Sequence, residues 1–250
     1  MGMETARTAD HALLALRTLA DNGPMTVTDL AAELGVSPTA AHRVIATLHA
    51  SAIVRRCEDG RYDVGPRLIR LTDHLLQYYA KQATPAMLRL AESTGGTVVL
   101  NALQGDSTIA LHQVTATRTP LRIEYRLGYA TPFTGSPGGL TILAHLHPSR
   151  RDRLVSEAGT KGLRERLDRI VADGFLISGE EVWADAVSVS APILDENLGV
   201  IGSLSAVITT DPAEHQKIVT QVTQAAARVA SRSSEFSGPG STQPGKPTDD

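Results

Sequence analysis

Ser37, Thr39, Ala40, His42 and Arg43 fall close together in a stretch with helical periodicity, and Arg55, Arg56 and Arg61 follow shortly after. A small, polar, cationic helix face of this kind suits the major groove, where an arginine donates two hydrogen bonds to a guanine edge. The later guanidinium groups are of the type that neutralises phosphates. Arg43 alone would equally suit a solvated helix face. The segments around it favour the nucleic-acid reading.

A second set of residues is serine-rich. Ser188 and Ser190 share one face of an expected strand, and Ser203 and Ser205 share one face of the next. Neither Val187 to Ile193 nor Val200 to Ile208 carries a charge, whereas a solvated sheet face usually shows Lys, Glu or Arg. The hydroxyls either meet a polar small molecule in a partly enclosed site or are satisfied by neighbouring backbone and water. Thr134-Gly135-Ser136-Pro137-Gly138-Gly139 stands ahead of a helix, where free N–H groups attract carboxylate or phosphate. It lacks the lysine of a nucleotide-binding loop, and Thr134 breaks the Gly-x-Ser-x-Gly pattern of a hydrolase elbow. His112, His145 and His147 have no carboxylate at metal-ligand spacing, so no metal or cofactor is expected. The only tryptophan, Trp183, suits core packing or a pocket wall.

The elements that would position these groups can be read from the same chain. A first helix, Asp10 to Ala20, is expected to pack through Leu13, Leu16 and Ala20. Thr26 with Asp29 resembles a capping box, Leu30, Ala31 and Leu34 form the apolar run behind it, and Gly35 is a natural stop. Ser37 offers an N-cap and Pro38 a first helical residue; Ala41, Val44, Ile45 and Leu48 then form one buried stripe. Ile53 to Val64 reads as a hairpin turning at Asp59-Gly60. Helix, turn, helix, hairpin is the order of a winged helix-turn-helix. After it, Leu68, Leu71, Leu75 and Tyr78 make a seam that seeks a partner, either within the domain or on a second copy.

Beyond residue 83 the pattern is α+β. A helix is expected around Ala86 to Glu92, then strands at Thr97 to Leu103, Ser107 to Val114 and Leu121 to Arg126. Helices follow at Gly138 to His145 and Leu163 to Ala172, strands at Phe175 to Ile177, Val187 to Leu194 and Val200 to Thr209, and a last helix from Pro212 to Ala230. Most neighbours in this list would pair antiparallel. The expected organisation is a winged DNA-binding domain over 7–65, a linker helix over 66–82, an effector-binding domain over 83–230 and a disordered tail over 231–250.

Composition narrows the class. The chain has 250 residues and a net charge of −3, so it is no bulk polyanion binder. Its positive charge is local: six arginines between residues 43 and 70 face only Glu58, Asp59 and Asp63. The single cysteine, Cys57, excludes a disulfide framework and reads as an apolar filler. With no signal-type or membrane-length apolar run, a cytoplasmic protein with no membrane partner is expected.

The run LAAELGVSPTAAHRVIATLHASAIVRR, followed by DGRYDVGPRL, closely resembles the DNA-binding domain of the IclR family of bacterial transcriptional regulators. PFTGSPGGLTILA and VSVSAPILDENLGVIGSLSAV resemble that family's helix start and terminal strand pair, so the likeness covers about residues 7 to 230. It implies a homodimer or dimer of dimers that binds a double-stranded DNA operator, more in the manner of a repressor, with a GAF-like domain for a small organic effector, often a carboxylate or aromatic acid. Family pocket positions match Gly138, Gly139, Ser178, Ser188 and Ser205. Ser136, Ser190 and Ser203 join them from the residue reading above. The chain departs from the pattern at Leu140, where lysine is common, at Val207, where a polar residue can occur, and between His147 and Gly162, which looks shortened.

Two rival readings stay open. One is an enzyme acting on a small organic acid through Ser136 or His112, with the winged domain used for assembly; no nucleophile and base pair supports it in sequence. The other is a winged domain used only for protein contacts.

Overall fold

A computed structural model describes residues 6–71, 83–119, 122–179, 186–209 and 212–233. The chain divides into two compact units at Gln77/Tyr78.

In the first unit, helix α1 spans Arg7–Asn22, α2 Val27–Leu34 and α3 Pro38–Ala50. Thr26 Oγ1 accepts the Asp29 N–H at 3.1 Å and donates to Asp29 Oδ2 at 2.7 Å, so the capping pair forms through the hydroxyl. Gly35 closes α2 in the left-handed region at φ 63°, and Ser37 Oγ caps α3 by accepting from the Ala40 N–H at 3.3 Å. Ala41, Val44, Ile45 and Leu48 are all buried, as their spacing requires. Strands β1 (Val54–Arg56) and β2 (Tyr62–Val64) form the wing. Met25 adds a bridge to Tyr62 that the sequence did not suggest.

The packing stripe of α1 differs from expectation. It runs through Ala12, Ala15, Leu16 and Leu19, whereas Leu13 is 62% exposed and Ala20 faces solvent. Alanines allow the helices to approach closely, and a stripe traced through leucines alone misses them.

The second unit begins with α4 (Thr84–Thr94) and continues through β3 (Thr97–Gln104), β4 (Ser107–Thr115), β5 (Ala130–Pro132), α5 (Pro137–Ala144), α6 (Pro148–Ala158) and α7 (Leu163–Asp173). It ends with β6 (Leu176–Gly179), β7 (Val187–Asp195), β8 (Gly199–Ile208) and α8 (His215–Ser233). The strands form one six-stranded sheet in the order β5-β4-β3-β8-β7-β6, with every pairing antiparallel. One sheet face is apolar: Val98, Leu100, Val189, Ala191, Ile193, Leu204, Ala206 and Ile208 pack against α4 and α8. Burial of the Val, Leu and Ile side chains among them, each worth about 1.5–3 kcal/mol, fixes the strand parity and turns the alternate residues to the other face.

Three segments depart from the sequence reading. Residues 122–126, expected as strand, do not join the sheet: the Tyr125 N–H is taken by Gln113 Oε1 at 2.8 Å, and β5 pairs with β4 at Ser107–Ile109 instead. Leu121 lies outside the described residues. Helix α6 was not expected at all, because PSRRDRLVSEA carries too little apolar periodicity and buries no residue fully. Ion pairs tie it down beside the half-buried Leu154 and Val155, which pack on the apolar cluster of α5 and α7: Asp106 in the β3–β4 turn bonds Arg150 at 3.1 Å and Arg153 at 2.9 Å, and Arg164 bonds Asp152 at 2.6 Å. Helix α8 runs through Ser233, beyond the expected start of the tail at 231. Residues 68–71 are helical; Leu75, Tyr78, Trp183 and residues 234–250 lie outside the described residues.

Candidate functional site

The first candidate surface is built on α3. Its buried stripe fixes the rotation of the helix and leaves Thr39, His42 and Arg43 exposed, with Ala40 half-buried and Ser37 committed to the N-cap. The face expected from sequence is therefore presented as one surface.

The three wing arginines differ from one another. Arg55 sits opposite Asp63 and bonds it at 2.6 Å. Arg61 bonds Asp59 at 2.7 Å through Nε and reaches the Pro24 carbonyl at 3.4 Å, which braces the turn at Gly60. The backbone N–H of Arg61 is the leading cause holding the Asp59 carboxyl below the usual carboxylate range, followed by its guanidinium. Arg56 lies over the Tyr62 ring, 5.9 Å from its centroid. Nothing in the sequence distinguishes these three cations.

The second candidate lies on the polar face of the sheet. Register places Ser190 opposite Ser205, Pro192 opposite Ser203, and Ser188 opposite both Ser178 and Val207. Residues opposite each other point to the same side, so all five predicted serines share one face. All are buried, together with Asn101 and Thr97 on the same side. Ser205 donates to Ser190 Oγ at 3.0 Å, and Ser203 donates to the Gly138 carbonyl at 3.0 Å. Asn101 Nδ2 approaches Ser203 Oγ at 3.4 Å and Ser205 Oγ at 3.5 Å. Ile123, Tyr125 and Ala186 gather with Val207 over one end of this face. Burial pushes the Tyr125 phenol up from its ordinary value.

The glycine-rich start of α5 closes the other end. Ser136 Oγ accepts from the Gly139 N–H at 3.0 Å and so acts as the helix N-cap. With Pro137 lacking an N–H and Leu140 N bonded to the Ser136 carbonyl at 2.9 Å, little of the expected anion cradle is free. Gly138 lies against Asn101 and Ser203, and a β-carbon there would overlap Asn101 Nδ2. A β-carbon at Gly139 would overlap the Phe133 carbonyl. Both glycines allow a close approach of helix and sheet. Leu140, at the position where lysine is common, is buried in apolar packing with Leu143 and Leu167.

Asn101, Ile123, Tyr125 and Ala186 were missed from sequence. Only Asn101 had a readable signal, as a polar amide in the middle of the apolar strand TVVLNALQ at the same parity as Thr97. His112 faces away from this site, since it pairs with Leu100 of the apolar face and bonds Thr84 Oγ1 at 3.0 Å. Ser136 and His112 therefore form no dyad.

The family model described as Bacterial transcriptional regulator IclR C-terminal matches residues 77–234. The chain belongs to the IclR family. A MarR family model matches residues 8–61, over the winged unit. The HTH-type transcriptional regulator BhcR of Paracoccus denitrificans is 29% identical over 203 residues, covering 76% of this chain and 72% of that one. Among solved structures, an IclR transcriptional regulator from Alicyclobacillus acidocaldarius has a TM-score of 0.79 at 25% identity, covering 92% of this chain and 100% of its own. An IclR homolog from Microbacterium hydrocarbonoxydans complexed with 4-hydroxybenzoate has a TM-score of 0.77 at 24% identity, covering 90% of this chain and 98% of its own. This IclR-family chain is thus a DNA-binding transcriptional regulator by kinship, and its named relatives are regulators rather than enzymes. No helix among the described residues is long and apolar enough to cross a membrane.

Proposed function

We propose that this chain reads an operator with the exposed face of α3, acts as a repressor by occupying that operator, and is released or reshaped by a small organic acid held on the serine face. The observation that carries the effector reading is the burial of Ser178, Ser188, Ser190, Ser203 and Ser205 together on one side of a sheet whose other side packs its apolar residues against α4 and α8. Hydroxyls grouped in this way, beneath Tyr125 and Ile123, suit an oxygen-bearing ligand with an apolar body. The complex of 4-hydroxybenzoate with a structural neighbour supports an aromatic acid as the class. Arg43 would read a base edge, Arg56 would meet phosphate, and two copies would engage two half-sites as a dimer or a dimer of dimers. A protein with this role works in the cytoplasm.

The effector must bind the operator-competent and operator-incompetent arrangements unequally. The test titrates a panel of aromatic and aliphatic acids against the protein alone and against its complex with a selected operator. An acid that binds with a serine-dependent affinity and shifts operator affinity supports the reading. Operator affinity that stays constant across every acid that binds would contradict it.

A further inference from the structure

One backbone carbonyl sets the direction of a whole row of hydrogen bonds on the serine face. The Gly138 carbonyl can only accept, so Ser203, 3.0 Å away, must donate its hydroxyl proton to it. Ser203 Oγ is then an acceptor towards Asn101, which turns the amide nitrogen of Asn101, and not its oxygen, towards Ser203 at 3.4 Å and Ser205 at 3.5 Å. These two contacts are long for hydrogen bonds, and what they fix is orientation more than strength. Facing an amide nitrogen, Ser205 Oγ also accepts, and it passes its own proton to Ser190 Oγ at 3.0 Å. Ser190 therefore accepts from behind and has its hydrogen left to give. Ser190 is completely buried, and its contact with Ser205 leaves its own hydrogen uncommitted.

We infer that Asn101 is a positioning residue that, anchored through Ser203 on the Gly138 carbonyl, fixes Ser190 as a donor in the buried serine row and so favours effectors that present an acceptor oxygen to that row. This rests on the effector reading of the serine face. It adds a role for Asn101, a residue that touches Ser203 and Ser205 rather than the effector itself. It also gives Gly138 a second role, because a side chain there would displace the Asn101 amide and break the row at its source. A buried row of this kind is worth more intact than its members are singly, because each donor polarises the next.

The probes are acetate, which only accepts, and methylammonium, which only donates. They are titrated into the full-length protein while the backbone resonances of Ser188, Ser190 and Ser205 are followed by NMR. Acetate is expected to perturb them and methylammonium is not. Asn101→Ala and Ser205→Ala should each weaken acetate about tenfold, the scale of one hydrogen bond to a charged group. The double variant should be no weaker than either single one, because both cut the same row. Ser205→Ala leaves Asn101 in place, so it carries the test if Asn101→Ala fails to fold. Methylammonium binding as well as acetate, additive losses in the double variant, or acetate binding that Ser190→Ala abolishes while Asn101→Ala leaves it intact would overturn the inference alone. Acetate that perturbs none of the three serines in the unaltered protein would overturn the effector reading and the inference with it.

Discussion

Arg55 and Asp63 stand directly opposite each other on the two wing strands and form an ion pair of 2.6 Å. That carboxylate competes with any phosphate for the guanidinium, whereas Arg56, laid over Tyr62, has no such competitor in its ring contact. The wing cations should therefore contribute unequally. Arg56→Ala is expected to reduce the slope of log affinity against log salt by about 0.9, the value of one phosphate contact. Arg55→Ala should reduce it by less, and Asp63→Ala should strengthen binding by freeing Arg55. Anisotropy titrations of the operator between about 50 and 200 mM salt measure all three. Equal slopes for the Arg55 and Arg56 variants would remove the distinction.

Ser136 acts on stability whatever it does for a ligand. Its hydroxyl caps α5, so Ser136→Ala should cost about 1 kcal/mol in denaturant unfolding, and Ser136→Asp should largely restore it. A loss of effector binding in Ser136→Ala that Ser136→Asp fails to rescue, at restored stability, would show a direct ligand contact instead.

His112 makes the second unit sensitive to mild acid. Burial lowers its pKa below the ordinary 6.5, so the folded state favours the neutral ring, which bonds Thr84 at the start of α4. With the folded value below the unfolded one, the unfolded chain binds more protons, and stability falls as pH drops below about 6.5 towards the folded value. His112→Gln should flatten the dependence of melting temperature on pH between about 7 and 5. An unchanged profile would assign that dependence to other groups.

Asp106 governs a more acidic window. Arg153 first, and then Arg150, hold its carboxyl below the ordinary 3.8. A depressed carboxylate stabilises the fold above its unfolded pKa and loses that contribution as pH falls through the folded one, so the attachment of α6 should weaken only below about pH 4. Because Asp106 is exposed, the same attachment should weaken in high salt at neutral pH. Amide exchange across Pro148–Ala158, compared between the unaltered protein and Asp106→Asn, reads both effects.

What the sequence disclosed follows where apolar burial was concentrated. The stripe Ala41, Val44, Ile45 and Leu48 placed α3 and its exposed face correctly, and period-two alternation in β7 and β8 brought the serines to one side. Both are patterns that side-chain burial imposes directly. The misses are of other kinds. Helix α6 is tied by ion pairs and buries only part of Leu154 and Val155, and its only clear marks were Pro148 at the first turn and Gly159 at the end. Residues 122–126 alternate like a strand, yet the contact they make is between the Tyr125 backbone and the Gln113 side chain. Asn101 and Ser205 meet across strands more than a hundred residues apart in sequence, a juxtaposition that register alone reveals.

The most direct test of the DNA-reading role incubates the full-length protein with fragmented genomic DNA from its source, sequences what is retained, and titrates the best fragment with Arg43→Ala. A short inverted repeat is expected, with Arg43→Ala relaxing base preference within each half-site at a cost of about 1–3 kcal/mol. No enrichment over random fragments at low salt, or full retention of sequence preference without Arg43, would contradict it.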